Sequence, residues 1–96
     1  MYARVTTISG SPTEADAGID TFRANVVPYV REHGNGAILL VDRQGGEAIA
    51  ITLWPDEEAM RASEESANSL RAQAADQMGA TQAPKIGRYE VAVFEV

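Results

Sequence analysis

Cysteine is absent from this chain. That removes disulfides, thiolate zinc sites, iron–sulfur clusters and cysteine nucleophiles together. Histidine occurs once, at His33, with Glu32 as its one acidic neighbour in "REHGNG". A lone imidazole does not make a metal site without several carboxylates beside it, so neither a metal nor a cofactor is expected. Basic residues are also few: eight stand against fourteen acidic ones, a formal charge of −6, and Lys85 is the one lysine. An acidic domain repels phosphate backbones, which argues against nucleic-acid binding. The start, "MYARVTTISG", has neither a basic region nor an apolar run and does not read as a signal peptide. No apolar run approaches the ~18 residues of a membrane span. A cytoplasmic protein with no membrane partner is expected.

What remains is a chain of 96 residues, 45% of them hydrophobic. This is enough for one domain, taken as residues 1–96, with a thin margin of core. Ala3 to Ser9, "ARVTTIS", is rich in β-branched residues and reads as a strand. In "GSPTE", Ser11 suits a helix cap, Pro12 its first position, and Glu14 completes a capping box. Ala15, Ile19, Phe22, Val26, Tyr29 and Val30 then recur at helical spacing. Pro28 interrupts that face and predicts a kink or a tightened last turn, with Gly34 as the C-cap.

"AILLVD" (Ala37 to Asp42) and "EAIAITLW" (Glu47 to Trp54) flank the turn "DRQGGE" and read as a hairpin. Asp56 opens a second helix, with Glu57 and Glu58 at the positive end of its dipole and Glu57–Arg61 as an i,i+4 pair. Its apolar side is Met60, Ser63, Ala67, Leu70, Ala74 and Met78, and Gly79 is its stop. "IGRYEVAVFEV" reads as a last strand running to Val96. The order is βαββαβ, an α+β ferredoxin-like arrangement: a four-stranded antiparallel sheet with two helices on one face.

That arrangement creates a problem. A sheet with one wet face should alternate apolar and polar residues. Yet "AILLV", "AIAITL" and "VAVF" are apolar on both parities. Two helices cover one face only, so a second copy of the sheet is the expected cover and the chain is expected to be a homodimer through its sheet face.

The order of elements, the doubly apolar sheet, the junction "WPDEEAMRAS" and the ending "YEVAVFEV" resemble the dimeric α+β barrel superfamily, and within it the antibiotic-biosynthesis-monooxygenase-like (ABM) group. The resemblance spans nearly the whole chain. Its sharpest element is a strand ending in Trp54, followed by a helix opening with Glu58, Ala59 and Met60. It implies a dimeric α/β barrel in which a small, planar aromatic metabolite binds between helices and sheet. It further implies either a cofactor-independent monooxygenase or a non-catalytic ligand-binding or accessory protein on the same scaffold. Ser63 stands where many members of the group carry a His, and Thr6 and Thr7 stand where haem-degrading members carry an Asn. Haem chemistry is therefore not implied.

Candidate ligand-binding residues are Phe22, Tyr29, Trp54, Met60 and Leu70. Each has a structural alternative. Trp54 is either a stacking platform at a pocket edge or a plug at the strand–helix junction. Met60 and Phe22 line either a pocket or a core. Tyr29 and Tyr89 either orient a phenol or satisfy their hydroxyls locally. Arg4, on a central strand, is expected to pair with Glu90 or Glu95, or to anchor an anionic ligand. His33 is expected to cap a helix end. No complete catalytic constellation is legible in the sequence.

Overall fold

The computed structural model describes residues 1–77 and 83–96. Strand β1 (Tyr2–Ser9) leads to a 3-10 turn at Pro12–Glu14, then α1 (Ala15–Thr21), a π-helical segment at Phe22–Val26, and α2 (Val27–His33). The hairpin β2 (Gly36–Asp42) and β3 (Glu47–Trp54) follows, then α3 (Glu57–Ala62), α4 (Glu64–Gln77) and β4 (Lys85–Glu90). The strands form one sheet in the order β2-β3-β1-β4, with every neighbour antiparallel. This is the expected ferredoxin-like α+β architecture. The two helical layers are α1–α2 and α3–α4.

The caps explain where the helices begin. Ser11 accepts a hydrogen bond from Thr13 N–H through its side chain, while Glu14 N–H bonds the Ser11 carbonyl at 3.0 Å. The expected box thus becomes a 3-10 turn, and the α-helix starts three residues later. Asp56 accepts from Ala59 N–H at 2.7 Å and caps α3, and Arg61 donates to Glu57 one turn away, both as expected. A break at Ser63 divides the second helical layer into α3 and α4. The expected stop at Gly79, and Met78 before it, lie outside the described residues.

At Pro28 one of the two expected outcomes, a tightened last turn, does not occur. Instead of tightening, the chain widens just ahead of the proline, and Val27 N–H reaches back five residues to the Phe22 carbonyl. Proline has no N–H and crowds the carbonyl four residues behind it. A widened turn relieves that crowding and lets α2 restart with Pro28 in its first turn.

Gly34 closes α2, with its N–H on the Val30 carbonyl at 2.7 Å. A Cβ there would lie 2.8 Å from the Leu53 carbonyl oxygen and 3.3 Å from the Trp54 ring. The hairpin turn closes on Gly46, at φ 75, with Asp42 Oδ1 accepting from Gln44 and Gly45 N–H.

On β1 and β3 one parity faces the helices: Arg4, Thr6 and Ile8, and Ala48, Ala50, Thr52 and Trp54. The other parity is apolar too. Val5, Ile49 and Ile51 are half-buried, and on β2 Ile38 and Leu40 are 40% and 50% exposed with nothing over them in the single chain. Both parities are apolar, as the sequence requires, and among the described residues nothing covers one face.

β4 is shorter than expected, ending at Glu90 rather than running to Val96. The reason is register. Tyr2 pairs with Glu90, and Val91 N–H takes the Met1 carbonyl at 2.9 Å. Beyond Val91 the strand outruns its neighbour, and Val93 and Phe94 are 84% and 54% exposed.

Gly34→Ala is expected to destabilise the fold by about 1–3 kcal/mol, the ordinary cost of overpacking against backbone that cannot yield. Denaturant unfolding of the variant beside the wild type measures it.

Candidate functional site

A cavity of about 80 Å³ lies between the first helical layer and the sheet. Its floor is the inward parity of β1 and β3, with Leu39 from β2. Its roof comes from Gly18 and Thr21 of α1, Phe22 and Val26 of the π segment, and Tyr29 and Val30 of α2. Ser63 and Ala67 close one side. The space exists because small residues oppose one another: Ala48 and Ala50 on the floor, Gly18 above. Among the described residues of α4, Ala67 contributes as well.

Trp54 is 1% exposed and packs with Val30 and Met60. Its indole N–H donates to Thr52 Oγ1 at 3.0 Å, and its ring meets Tyr29 edge-on at 6.2 Å between centroids. It is therefore the buried end wall of the cavity rather than its edge. Phe22, Val26 and Tyr29 are half-buried and form the more accessible side.

Of the other candidates, Phe22 and Tyr29 line the cavity. Met60 does not: it is buried behind Trp54 and lines a separate cleft with Tyr2, Glu64 and Arg88. Met60 lies three residues before the break, and the wall is formed by Ser63 and Ala67 instead. The Leu70 side chain lies outside the described residues. Tyr89 stands on the opposite parity of β4 beside Gly87 and is 59% exposed, far from Tyr29's role in the roof. His33 ends α2 half in solvent, ring to ring with Tyr29 at 4.5 Å. Among the described residues no group of acids and histidines is placed to hold a metal.

Arg4 is the polar centre of the site. It is 3% exposed, and its Nη2 donates to the Met60 carbonyl at 2.6 Å, Ser63 Oγ at 2.8 Å and Glu64 Oε1 at 3.1 Å. Neither Glu90 nor Glu95 is its partner. The inward parity of β1 aims Arg4 at the α3–α4 break, whereas Glu95 lies beyond the paired part of β4. Arg88 lies directly across from Arg4 on β4 and binds Glu64 through Nε and Nη2 at 2.7 and 2.9 Å. Two like charges facing each other across a ladder repel, and the Glu64 carboxylate bridges them. The hydrogen bonds from Arg88, and then the charge of Arg4, hold the Glu64 carboxyl down to about 2, against the opposing effect of its burial. Burial pushes the Arg4 guanidinium below its ordinary value, while Glu64 opposes that. The Arg4 guanidinium carbon also lies 5.5 Å from the Trp54 ring centroid, a cation–π contact.

The floor residues Thr6, Ile8, Ala48, Ala50 and Thr52 were not singled out from sequence. Strict alternation along β1 and β3 from Arg4 and Trp54 is the signal that finds them.

With this geometry in hand, the chain has the fold of the antibiotic biosynthesis monooxygenases. A monooxygenase from the gene ActVA-Orf6 of Streptomyces coelicolor, solved with nanaomycin D, superposes with a TM-score of 0.76 at 17% identity, over 99% of this chain and 92% of that one. SnoaB, a cofactor-independent oxygenase from Streptomyces nogalater, superposes with a TM-score of 0.66 at 18% identity, over 97% and 94%. No family model matches the sequence. Two uncharacterized proteins of Mycobacterium tuberculosis H37Rv are similar in sequence. Rv2557 is 38% identical over 98% of this chain and 42% of its own length, and Rv2558 is 46% identical over 78% and 33%. The chain thus spans less than half the length of the curated relatives it matches. No described helix is long and apolar enough to cross a membrane.

Glu64→Gln is expected to lower stability at neutral pH by on the order of 1–2 kcal/mol, the shift being discounted for solvent screening of a partly exposed group. Glu64's folded value is depressed, so its contribution is complete above the ordinary 4.5 and is lost as pH falls toward about 2. The gap between wild type and variant should therefore close across that window. Denaturant midpoints measured against pH check the sign.

Proposed function

We propose that residues 1–96 form one ABM-like unit of the cytoplasm that takes a small planar aromatic metabolite into the cavity between the first helical layer and the sheet. The observation carrying this reading is the cavity itself, an apolar space with Trp54 as end wall and Arg4 as its one charged lining residue among the described residues. Burial of apolar ligand surface is the driving force. The volume limits the ligand. An engineered apolar cavity of about 150 Å³ takes up benzene, so the present space accepts at most one ring, and only with outward movement of half-buried Phe22 and Val26. π segments recur at functional sites, and this one supplies both residues.

The chemistry that fits is cofactor-independent oxygenation. An electron-rich phenol, ionised, supplies the electrons from its own ring. One oxygen atom of dioxygen enters a ring carbon as the carbonyl of a quinone, and the other leaves as water with the two hydrogens the phenol loses. The protein binds, orients and excludes bulk water. The second reading is binding without turnover, on the same scaffold. It is favoured by the hydrogen bonds that already commit Arg4 Nη2 to Met60, Ser63 and Glu64. A panel of single-ring and polycyclic phenols separates these readings. Binding should change Trp54 emission and raise the melting temperature, since a ligand of the native state stabilises it. Single-ring compounds should outperform polycyclic ones. Oxygen uptake with a bound phenol marks the oxygenase, binding without uptake marks the second reading, and no response from any compound rejects the pocket.

We further propose a homodimer through the uncovered sheet face. Support comes from exposed Ile38 and Leu40, and from Val93 and Phe94 beyond the paired end of β4. The longer relatives leave room in one chain for a second unit of this size. Light scattering at micromolar concentration should give twice the chain mass, and Phe94→Asp should shift it to the monomer. A monomeric wild type rejects this arrangement.

A further inference from the structure

One buried donor in the cavity wall has no partner among the described residues: Arg4 Nε–H meets no hydrogen-bond acceptor there, although the residue is 3% exposed. An unmet buried donor is costly, and more so on a charged group. The Nη2 end of the same guanidinium is held by three acceptors, so the side chain cannot swing out to find water.

The charges around it are also unequal. Among the described residues, Arg4 and Arg88 face the single carboxylate of Glu64. A guanidinium at the wall of an otherwise apolar cavity, with a partner already shared, leaves a positive field inside a space of low polarity, where electrostatic interactions are strong. Neutral Thr6, Thr52 and Ser63 beside it in the wall do not cancel that field.

We propose that Arg4 is an anion-binding subsite of this cavity, its Nε–H receiving an anionic oxygen of a single-ring ligand whose ring fills the space between Phe22 and Ala50. The inference rests on the pocket reading above and adds the ligand's charge and polarity. The ligand is a small acid, a ring bearing a carboxylate or another ionised oxygen. Its anionic end lies toward β1, and its apolar end toward the half-buried residues of the π segment. A hydrogen bond from a cation to an anion is about twice as strong as a neutral one, which makes this contact the selector between acids and their neutral analogues.

Benzoate, benzamide and toluene share one ring and differ in the group offered to Arg4. Calorimetric titration at pH 7, where the acid is ionised, should show benzoate binding at least tenfold more tightly than either neutral compound. Arg4→Met should bring the three within about twofold of one another. Should that variant fail to fold, Arg4→Lys keeps a positive charge for Glu64 but has no Nε–H at this position, and it should lose most of the preference. Benzamide or toluene binding the wild type as tightly as benzoate overturns the role of Arg4 while leaving the pocket in place. An unchanged preference in Arg4→Lys also overturns it, because charge alone would then suffice. Binding of none of the three removes both the subsite and the pocket.

Discussion

A guanidinium buried on the central strand ties the molecule together. Arg4 stands on β1 with a hydrogen-bonding network around it that spans the sheet and the second helical layer. Its bonds to the Met60 carbonyl, Ser63 and Glu64 fix the break between α3 and α4 against the sheet. Ser63 itself donates to the Met60 carbonyl at 2.7 Å, so the break is closed by side chains rather than by continued helix. Removing one partner of such a buried ion pair strands the other, which is costlier than the net value of the pair. The position of α4, the closure of the cavity by Ala67 and the setting of Trp54 all follow from where this one cation is held.

The fold was largely legible in the sequence because its signals were periodic. Two capped helical patterns, a hairpin with its glycine turn and strands apolar on both parities leave few alternatives to a four-stranded antiparallel sheet with one bare face. The helix ends at Ser11, Gly34 and Asp56 were legible as caps, since their chemistry is local. The end of β4 was not. "VAVFEV" has strand composition, but a strand stops where its neighbour stops, and the register of β4 on β1 is a tertiary fact.

The candidate site was legible in part. Trp54, Tyr29 and Phe22 were found from residue type and position, and all three line the cavity. Met60 was read as lining either a pocket or a core, and it packs against the indole in the core and lines a separate cleft. Arg4 was expected to meet acids on the last strand because those are plentiful there. Its partner proved to be Glu64, on a helix sixty residues away in sequence. Composition shows how many acids exist, but not which one the packing of a helix on a sheet brings near. The alanines of β3 were passed over because small residues carry no chemistry, although the volume they leave open is what makes the site.

The π segment carries a consequence for comparing this chain with others. A helix turning through five backbone positions per hydrogen bond holds one residue more than an α-helix of the same span, and one residue is 100° of rotation. Residues before Phe22 and after Val26 therefore follow two different angular phases. An alignment that treats 15–33 as an unbroken helix will place Tyr29 and Val30 opposite residues that face solvent in a straight-helix homologue. A single-residue gap within Phe22–Val26 restores the match. Kinship with chains that lack the bulge is thus hidden by a discontinuity of one position.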